Sequence, residues 1–215
     1  MRIFLRHLAL VVDLGETYRC LSSAVLGGGL SRMRTWINQQ VPPGYSRTDP
    51  REHLLECAHD LEPPVVGMLT AAPVSAYCDC AHGSARAVAT VGLTHPLSAA
   101  GRRPVAVPRA GTINVLVAVL ERLSDEGLAG ALQTATEAKV QALAEARIPA
   151  LNADVFATGT ATDSFCIACP EGQGSPFAGT ATRVGGDIAQ AVHGALLEGA
   201  LRYRAPAPEA MGGRC

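Results

Sequence analysis

The sequence predicts an α/β or α+β layered single domain, with a mainly central β-sheet flanked by helices and the strand order undetermined. Apolar, β-branched runs of strand length recur at "VVGMLTAAPV" (Val65 to Val74), "ARAVATVGLT" (Ala85 to Thr94) and Thr112 to Leu120. Two long segments carry apolar residues at helical spacing, Asp125 to Arg147 and 187 to 202. Hydrophobic residues make up 48% of the 215 and charged ones 17%, so the chain can bury a core large enough to offset its conformational entropy. One domain is expected over 1–203, with 204–215 as a flexible tail.

In order along the chain, "RIFLRHLALVVDLGETYRCLSSAV" reads as a hairpin turning near Gly15. "LGGGL" follows, and Gly27, Gly28 and Gly29 there imply either positive φ or a backbone lying against a ligand. Ser31 to Asn38 has room for a short helix. "VPPGYSRTDP" is a loop whose Asp49 and Pro50 suit an N-cap and first helical position, and "REHLLECAHDL" is the helix they open, ending before Pro63. After the three apolar strands, Ser124 caps the clearest helix, with acids in its first turn where the helix dipole favours them. Pro149 stops it. "DVFATGTATDSFCIAC" returns to strand pattern, broken by Gly159, and the last helix follows a turn-rich stretch.

Charge and composition exclude several functions. The formal net charge is −1 with no long basic run, so neither nucleic acid nor an anionic lipid surface is an expected partner. No apolar run approaches the roughly 18 residues of a membrane span. The N-terminal segment lacks a cleavage site, and a cytoplasmic location is expected. Seven cysteines without an export signal predict free thiols rather than a disulfide framework. "CDC" (Cys78, Cys80) and "CIAC" (Cys166, Cys169) suggest zinc, but residues three apart on a strand face opposite ways, so no metal site is expected. No protein-borne cofactor is expected either. A small-molecule ligand is the expected partner, in a pocket of small side chains and backbone, since only 4% of residues are aromatic. A homo-oligomer is compatible with the sequence.

Two polar clusters stand out. In "ATGTATDS", an extended backbone would put Thr158, Thr160 and Thr162 on one face and Asp163 on the other, a hydroxyl ladder able to bond strands, cradle a ligand or supply a nucleophile. No Gly-Lys-Ser/Thr tripeptide, G-x-G-x-x-G or G-x-S-x-G accompanies it, so neither a phosphate loop nor a serine-hydrolase elbow is indicated. In "TATEAK", about 100° per residue places Leu132, Thr136, Lys139 and Leu143 on one stripe, and Thr134, Glu137, Gln141 and Glu145 on another. The first is the more apolar, so Lys139 must snorkel, pair or serve a site, while Glu137 faces solvent. His95, after a central strand, and the amides Asn38 and Asn114 are further candidates for orienting a substrate.

The segments "CLSSAVLGGGL", "WINQQVPPGY", "VGMLTAA", "TVGLTHPL", "AGTINVLVAV", "LQTATEAKVQAL" and "ATGTATDSFCIA" occur in an order that resembles the adenosylcobinamide amidohydrolases of the CbiZ type, over roughly residues 18 to 202. His95 stands where that family usually has an asparagine, and the cysteines of "FCIAC" are outside its pattern. The resemblance implies hydrolysis of the amide joining the aminopropanol arm to a cobalt-containing corrinoid. The products would be adenosylcobyric acid and 1-amino-2-propanol or its phosphate, a corrinoid salvage step. For that chemistry the candidate catalytic residues are Asp163, Lys139, Glu137, Thr160 and Thr162. The candidate substrate-binding residues are Gly27, Gly28, Gly29, Asn38, Thr70, His95, Thr112, Asn114, Thr136 and Thr158. A non-catalytic corrinoid-binding module and an amidase for another amide are the alternatives.

Overall fold

A computed structural model describes residues 1–103 and 111–204. Among the described residues the strands are β1 (Arg2–Arg6), β2 (Ala9–Ser22), β3 (Gly29–Gln40), β4 (Val65–Thr70), β5 (Cys78–His82), β6 (Ala85–Val91), β7 (Pro96–Leu97), β8 (Ile113–Val119), β9 (Gly159–Thr160) and β10 (Ser164–Pro170). The helices are α1 (Pro50–Cys57), α2 (Asp125–Glu145) and α3 (Arg183–Arg204). Eight strands form one mixed sheet in the order β4-β3-β2-β10-β8-β6-β5, with β1 alongside β2, and β7 and β9 form a small antiparallel pair. The layered α/β class read from the sequence is the class observed.

Two pairs of neighbours are parallel, β3 with β4 and β8 with β10, and each is connected through a helix, α1 and α2 respectively. Parallel neighbours need such crossovers. The helices cover different halves of the sheet. Leu54 of α1 is buried against Val11 and Ile37, while α2 and α3 lie over β5, β6, β8 and β10. Alternation along each strand sends the other face inward. Val12, Met33, Trp36, Met68, Val88, Leu116 and Cys166 meet there in one cluster.

That inner cluster requires the sheet to fold upon itself. Asn38 on β3 donates to the Thr90 hydroxyl on β6 at 2.8 Å, and Asn114 on β8 donates to both Asn38 Oδ1 and the Leu69 carbonyl on β4, each at 2.8 Å. In a flat sheet β3 and β6 would be four strand intervals apart, about 19 Å at about 4.8 Å each. The bonds close that gap directly. All of Asn38, Thr90 and Asn114 are buried, so each unpaired amide would incur a penalty of about 1–3 kcal/mol.

Several local expectations are corrected. Ser31 to Asn38 is strand, not helix, because Arg32 and Arg34 flank the buried Met33 at period two and the segment bonds to β2 on one side and β4 on the other. The first hairpin turns at His7 and Leu8 rather than near Gly15. Gly15, at φ 87°, instead sits in the irregular stretch between Asp13 and Tyr18, where β2 bulges against β3. Pro50 opens α1 as expected, but the Asp49 side chain binds Arg47 rather than capping, and the helix ends at Cys57. The Ser124 cap of α2 is present, its hydroxyl accepting from Gly127 N. The threonine ladder is absent: only Gly159 and Thr160 are paired as strand, and 161–162 form a turn. α3 begins at Arg183, and Cys78 and Cys80 belong to an edge strand that the sequence reading did not assign. The expected tail lies outside the described residues from 205 onward. Cys166 and Cys169 face opposite sides of β10, in different core clusters, as the strand period demands.

The Asp13 bulge should be acid-sensitive. Arg2, then the Gly15 N–H and Arg34, hold the Asp13 carboxyl below its ordinary value of 3.8 despite burial. Its contribution to stability is therefore full above that value and lost as pH falls through the lower folded value. Urea midpoints measured between pH 6 and pH 2 should fall less steeply for Asp13→Asn than for the wild type. Removing the amide clasp tests the folded sheet: Asn38→Ala should lower unfolding free energy by about 1–3 kcal/mol for each partner left bare, Thr90 and Asn114.

Candidate active site

The site is built where two adjacent parallel strands begin. β8 and β10 pair Asn114 with Ser164, so the segments leading into them, 111–113 and 159–163, run side by side. Hydroxyls stitch them together: Thr112 Oγ1 donates to the Thr162 carbonyl at 2.6 Å, and Thr160 Oγ1 lies 3.0 Å from the Gly111 carbonyl. Asp163 then turns its carboxylate back into this seam. Oδ1 accepts from Ile113 N at 3.1 Å and from the Thr160 hydroxyl, and Thr160 N approaches both oxygens.

Lys139 arrives from α2. Its amine meets Asp163 Oδ2 at 2.5 Å, and both side chains are only 10% exposed. The amine also lies 5.6 Å from the centre of the Phe165 ring. A buried ammonium needs such a partner, because deleting one member of a buried pair typically costs about 3–5 kcal/mol. Gly159 makes room for it. A Cβ there would stand 2.3 Å from Asp163 Oδ2 and 2.7 Å from Lys139 Nζ.

Two cavities share Asp163. One, of about 320 Å³, is lined by Tyr45, Met68, Thr70, Thr112, Asn114 and Thr162 among others, and is largely apolar with a polar floor. The other, of about 430 Å³, is lined by Ser98, Lys139, Asn152, Thr158 and Thr160. Asn152 brackets Ser98, its Oδ1 accepting from the Ser98 N–H and its Nδ2 donating to the Ser98 carbonyl. A third cavity of about 300 Å³ lies between β1 and α1, lined by Arg6, His7, Cys57 and His59. No residue singled out from the sequence falls in that third one.

The structure thus brings together Asp163, Lys139, Thr160, Thr162, Thr112, Asn114, Thr70 and Thr158 around the first two cavities. Asn38 is one bond behind Asn114. Both N–H groups of Asn114 are already bonded, to Asn38 and Leu69. Glu137 is elsewhere. Two residues from Lys139, it points about 200° away on the helix, is exposed, and meets Gln133 on its own helix. Thr136 is exposed too, and its hydroxyl returns to the Leu132 carbonyl. Thr134, placed on the polar stripe, is buried and bonds the Ala178 carbonyl, because α2 packs against that turn as well as the sheet. Gly27 and Gly29 adopt positive φ and Gly28 packs against the Ala24 carbonyl, so these glycines serve a tight turn and line neither cavity. His95 lies beside Gly111 and also lines neither.

Sequence reasoning missed Tyr45, Ser23 and Ser164, which line the first cavity. An aromatic side chain after two prolines in a loop, in a chain with four tyrosines, was the available signal for Tyr45. Nothing local marked the two serines, whose hydroxyls meet at 3.1 Å only because β2 and β10 pair.

A family model described as adenosylcobinamide amidohydrolase matches residues 1–208. This chain belongs to that family. The adenosylcobinamide amidohydrolase of Methanosarcina mazei is 31% identical over 175 residues, 79% of this chain and 84% of the relative. An uncharacterised protein of Methanocaldococcus jannaschii is 33% identical over 93 residues, 43% of this chain and 36% of its own. Membership in the adenosylcobinamide amidohydrolase family makes the chain a hydrolase acting on an amide bond. No helix among the described residues is long and apolar enough to cross a membrane.

The close approach at Gly159 gives a direct check on the pair. Gly159→Ala should separate Lys139 from Asp163 and lower unfolding free energy by about 1–3 kcal/mol, the usual range for overpacking. Thermal or urea unfolding measures it, with Gly44→Ala, which meets nothing within 4 Å, as the control.

Proposed function

We propose that this hydrolase cleaves the amide linking the aminopropanol arm to the corrin ring system of adenosylcobinamide. The products are adenosylcobyric acid and 1-amino-2-propanol, or the aminopropanol phosphate where the arm is phosphorylated, and the setting is cytoplasmic corrinoid salvage without a cofactor of the protein's own. Family membership supports the reading, and the observation that carries it is the buried Lys139–Asp163 pair at the boundary of two cavities. Amide hydrolysis needs charge stabilised at the carbonyl oxygen and a proton delivered to the departing amine. Asp163 takes one of the three N–H groups of Lys139 and leaves two for the substrate.

Asp163 itself is already surrounded by donors from Lys139, Ile113 and Thr160. A carboxylate offers about four lone-pair sites, so its part here is to aim Lys139 and Thr160. The nucleophile is a water, or a hydroxyl of Thr162 on the rim of the first cavity. Thr162 Oγ1 has only a long 3.4 Å contact with the Gly111 carbonyl, whereas Thr160 Oγ1 is held on two sides. Asn114, with both N–H groups engaged, shapes the floor rather than stabilising the oxyanion. At about 320 Å³ the first cavity is near the lower bound of drug-sized pockets and far too small for a whole corrinoid. The amide-bearing arm enters it as far as Asp163, which both cavities share, where Lys139 meets the amide from the second cavity, and the ring stays at the mouth.

The test is incubation of the purified protein with adenosylcobinamide and mass detection of adenosylcobyric acid. Lys139→Met should lower kcat by about 10²–10³-fold, the loss seen when one oxyanion donor is removed, with folding verified by circular dichroism. Thr162→Val distinguishes the nucleophiles: retained turnover assigns the attack to water, and its loss assigns it to the hydroxyl. Binding without turnover in the wild type would make the protein a corrinoid-binding module, and neither binding nor turnover would point to another amide.

A further inference from the structure

The loop between β3 and α1 has no regular structure, yet it is held at several points. Tyr45 N donates to the Pro42 carbonyl at 2.9 Å, closing a turn. Arg47 binds Asp49 through two nitrogens and reaches Glu56 on α1 through two more bonds. The Tyr45 hydroxyl meets His53 Nδ1 at 2.9 Å, and the two rings stack with centres 5.5 Å apart and planes 21° apart. His53 stands on α1 next to Leu54, which is fully buried between helix and sheet. The loop is thereby anchored to the core through one helix.

This bracing has a direction. Tyr45 lines the cavity floored by Thr112 and Asn114, whereas His53 does not. With its hydroxyl engaged by His53, what Tyr45 has left to offer a ligand in the cavity is its ring. Val25, Val41 and Met68 continue the same apolar surface. Thr162 and Asp163 line the same cavity. A substrate whose amide-bearing arm enters the cavity while its apolar body rests at the mouth would find both halves matched here.

We propose that Tyr45 is a substrate-binding residue of this site, contacting the apolar body of the amide substrate through its ring, and that His53 is a positioning residue acting through the Tyr45 hydroxyl. The proposal rests on the adenosylcobinamide reading above. An aromatic wall offers a large rigid contact area with only two rotatable angles to fix, and its contribution persists through binding and reaction alike. It therefore acts on KM and leaves the chemical step alone.

Steady-state kinetics with adenosylcobinamide test it on the wild type, Tyr45→Ala, Tyr45→Phe, His53→Ala, His53→Asn and the Tyr45→Phe/His53→Ala double variant. Tyr45→Ala should raise KM about tenfold or more while kcat stays within about threefold, the pattern of lost uniform binding. His53→Ala should raise KM by less, and His53→Asn, which keeps a hydrogen-bonding group near the Nδ1 position, should recover most of that loss. In the Tyr45→Phe background His53→Ala should add little, because the hydroxyl it holds is gone. A Tyr45→Ala variant with KM within twofold of an active wild type overturns the proposal and leaves the amidohydrolase reading standing. Should Tyr45→Ala fail to fold, equal KM for wild type, Tyr45→Phe and His53→Ala does the same. A wild type that binds but does not turn over, or does neither, removes the parent reading and this one with it.

Discussion

The bonds among Asn38, Thr90, Asn114 and the Leu69 carbonyl hold together strands that a flat sheet would keep far apart. Everything at the site depends on that closure. The first cavity draws walls from both halves of the sheet, Thr70 and Tyr45 from the β3–β4 side and Thr112, Asn114 and Thr162 from the β8–β10 side. Opening the sheet would separate them. A buried amide earns its place here through the penalty of leaving it unpaired, which makes the folded arrangement specific as well as stable.

The two βαβ units explain how a short chain arranges this. In each, a helix crosses over to return the strand in the same direction, so chain entering one parallel strand lies beside chain entering the next. In the β8–α2–β10 unit those entries are stitched by Thr112, Thr160 and Asp163, and the connecting helix supplies Lys139 to the same point. The charge pair is thus a contact between the crossover and the strand it leads to. Its burial follows from packing α2 against the sheet rather than from any local property of "TATEAK".

Much of this was legible in sequence, and the exceptions have physical reasons. The buried strands β4, β6 and β8 announce themselves as apolar β-branched runs, and Ser124 followed by acids marks α2. Lys139 could be read because a charge on an apolar stripe demands a partner. Asp163 was visible as a candidate, but its five contacts were not, since Ile113 is 50 residues away. β3 was misread because Met33, Trp36 and Ile37 fall at helical spacing, and only the ladders on both sides show the segment to be strand. The threonine ladder failed because alternation in sequence says which face a residue takes only if the backbone is extended. Here the chain turns at 161–162 to return Asp163 to the seam.

The small side chains, expected from a chain short of aromatics to line a pocket, have a different meaning in the fold. Ala131, Ala135, Ala138 and Ala142 of α2 share one core cluster with Ala191 and Ala195 of α3 and Ala87 and Ala89 of β6. Gly194 and Gly199 of α3 bring its backbone against Cys80 and Val91 so closely that a Cβ at either would come within 2.7 Å of them. Side chains of one carbon have no rotamers to exchange, so a layer built of them can take up a change in shape only by moving its backbone. The helical layer is a rigid backing plate. Whatever adjustment a large substrate demands on entering must come from the loops at the cavity mouth, since the wall carrying Lys139 has nowhere to yield.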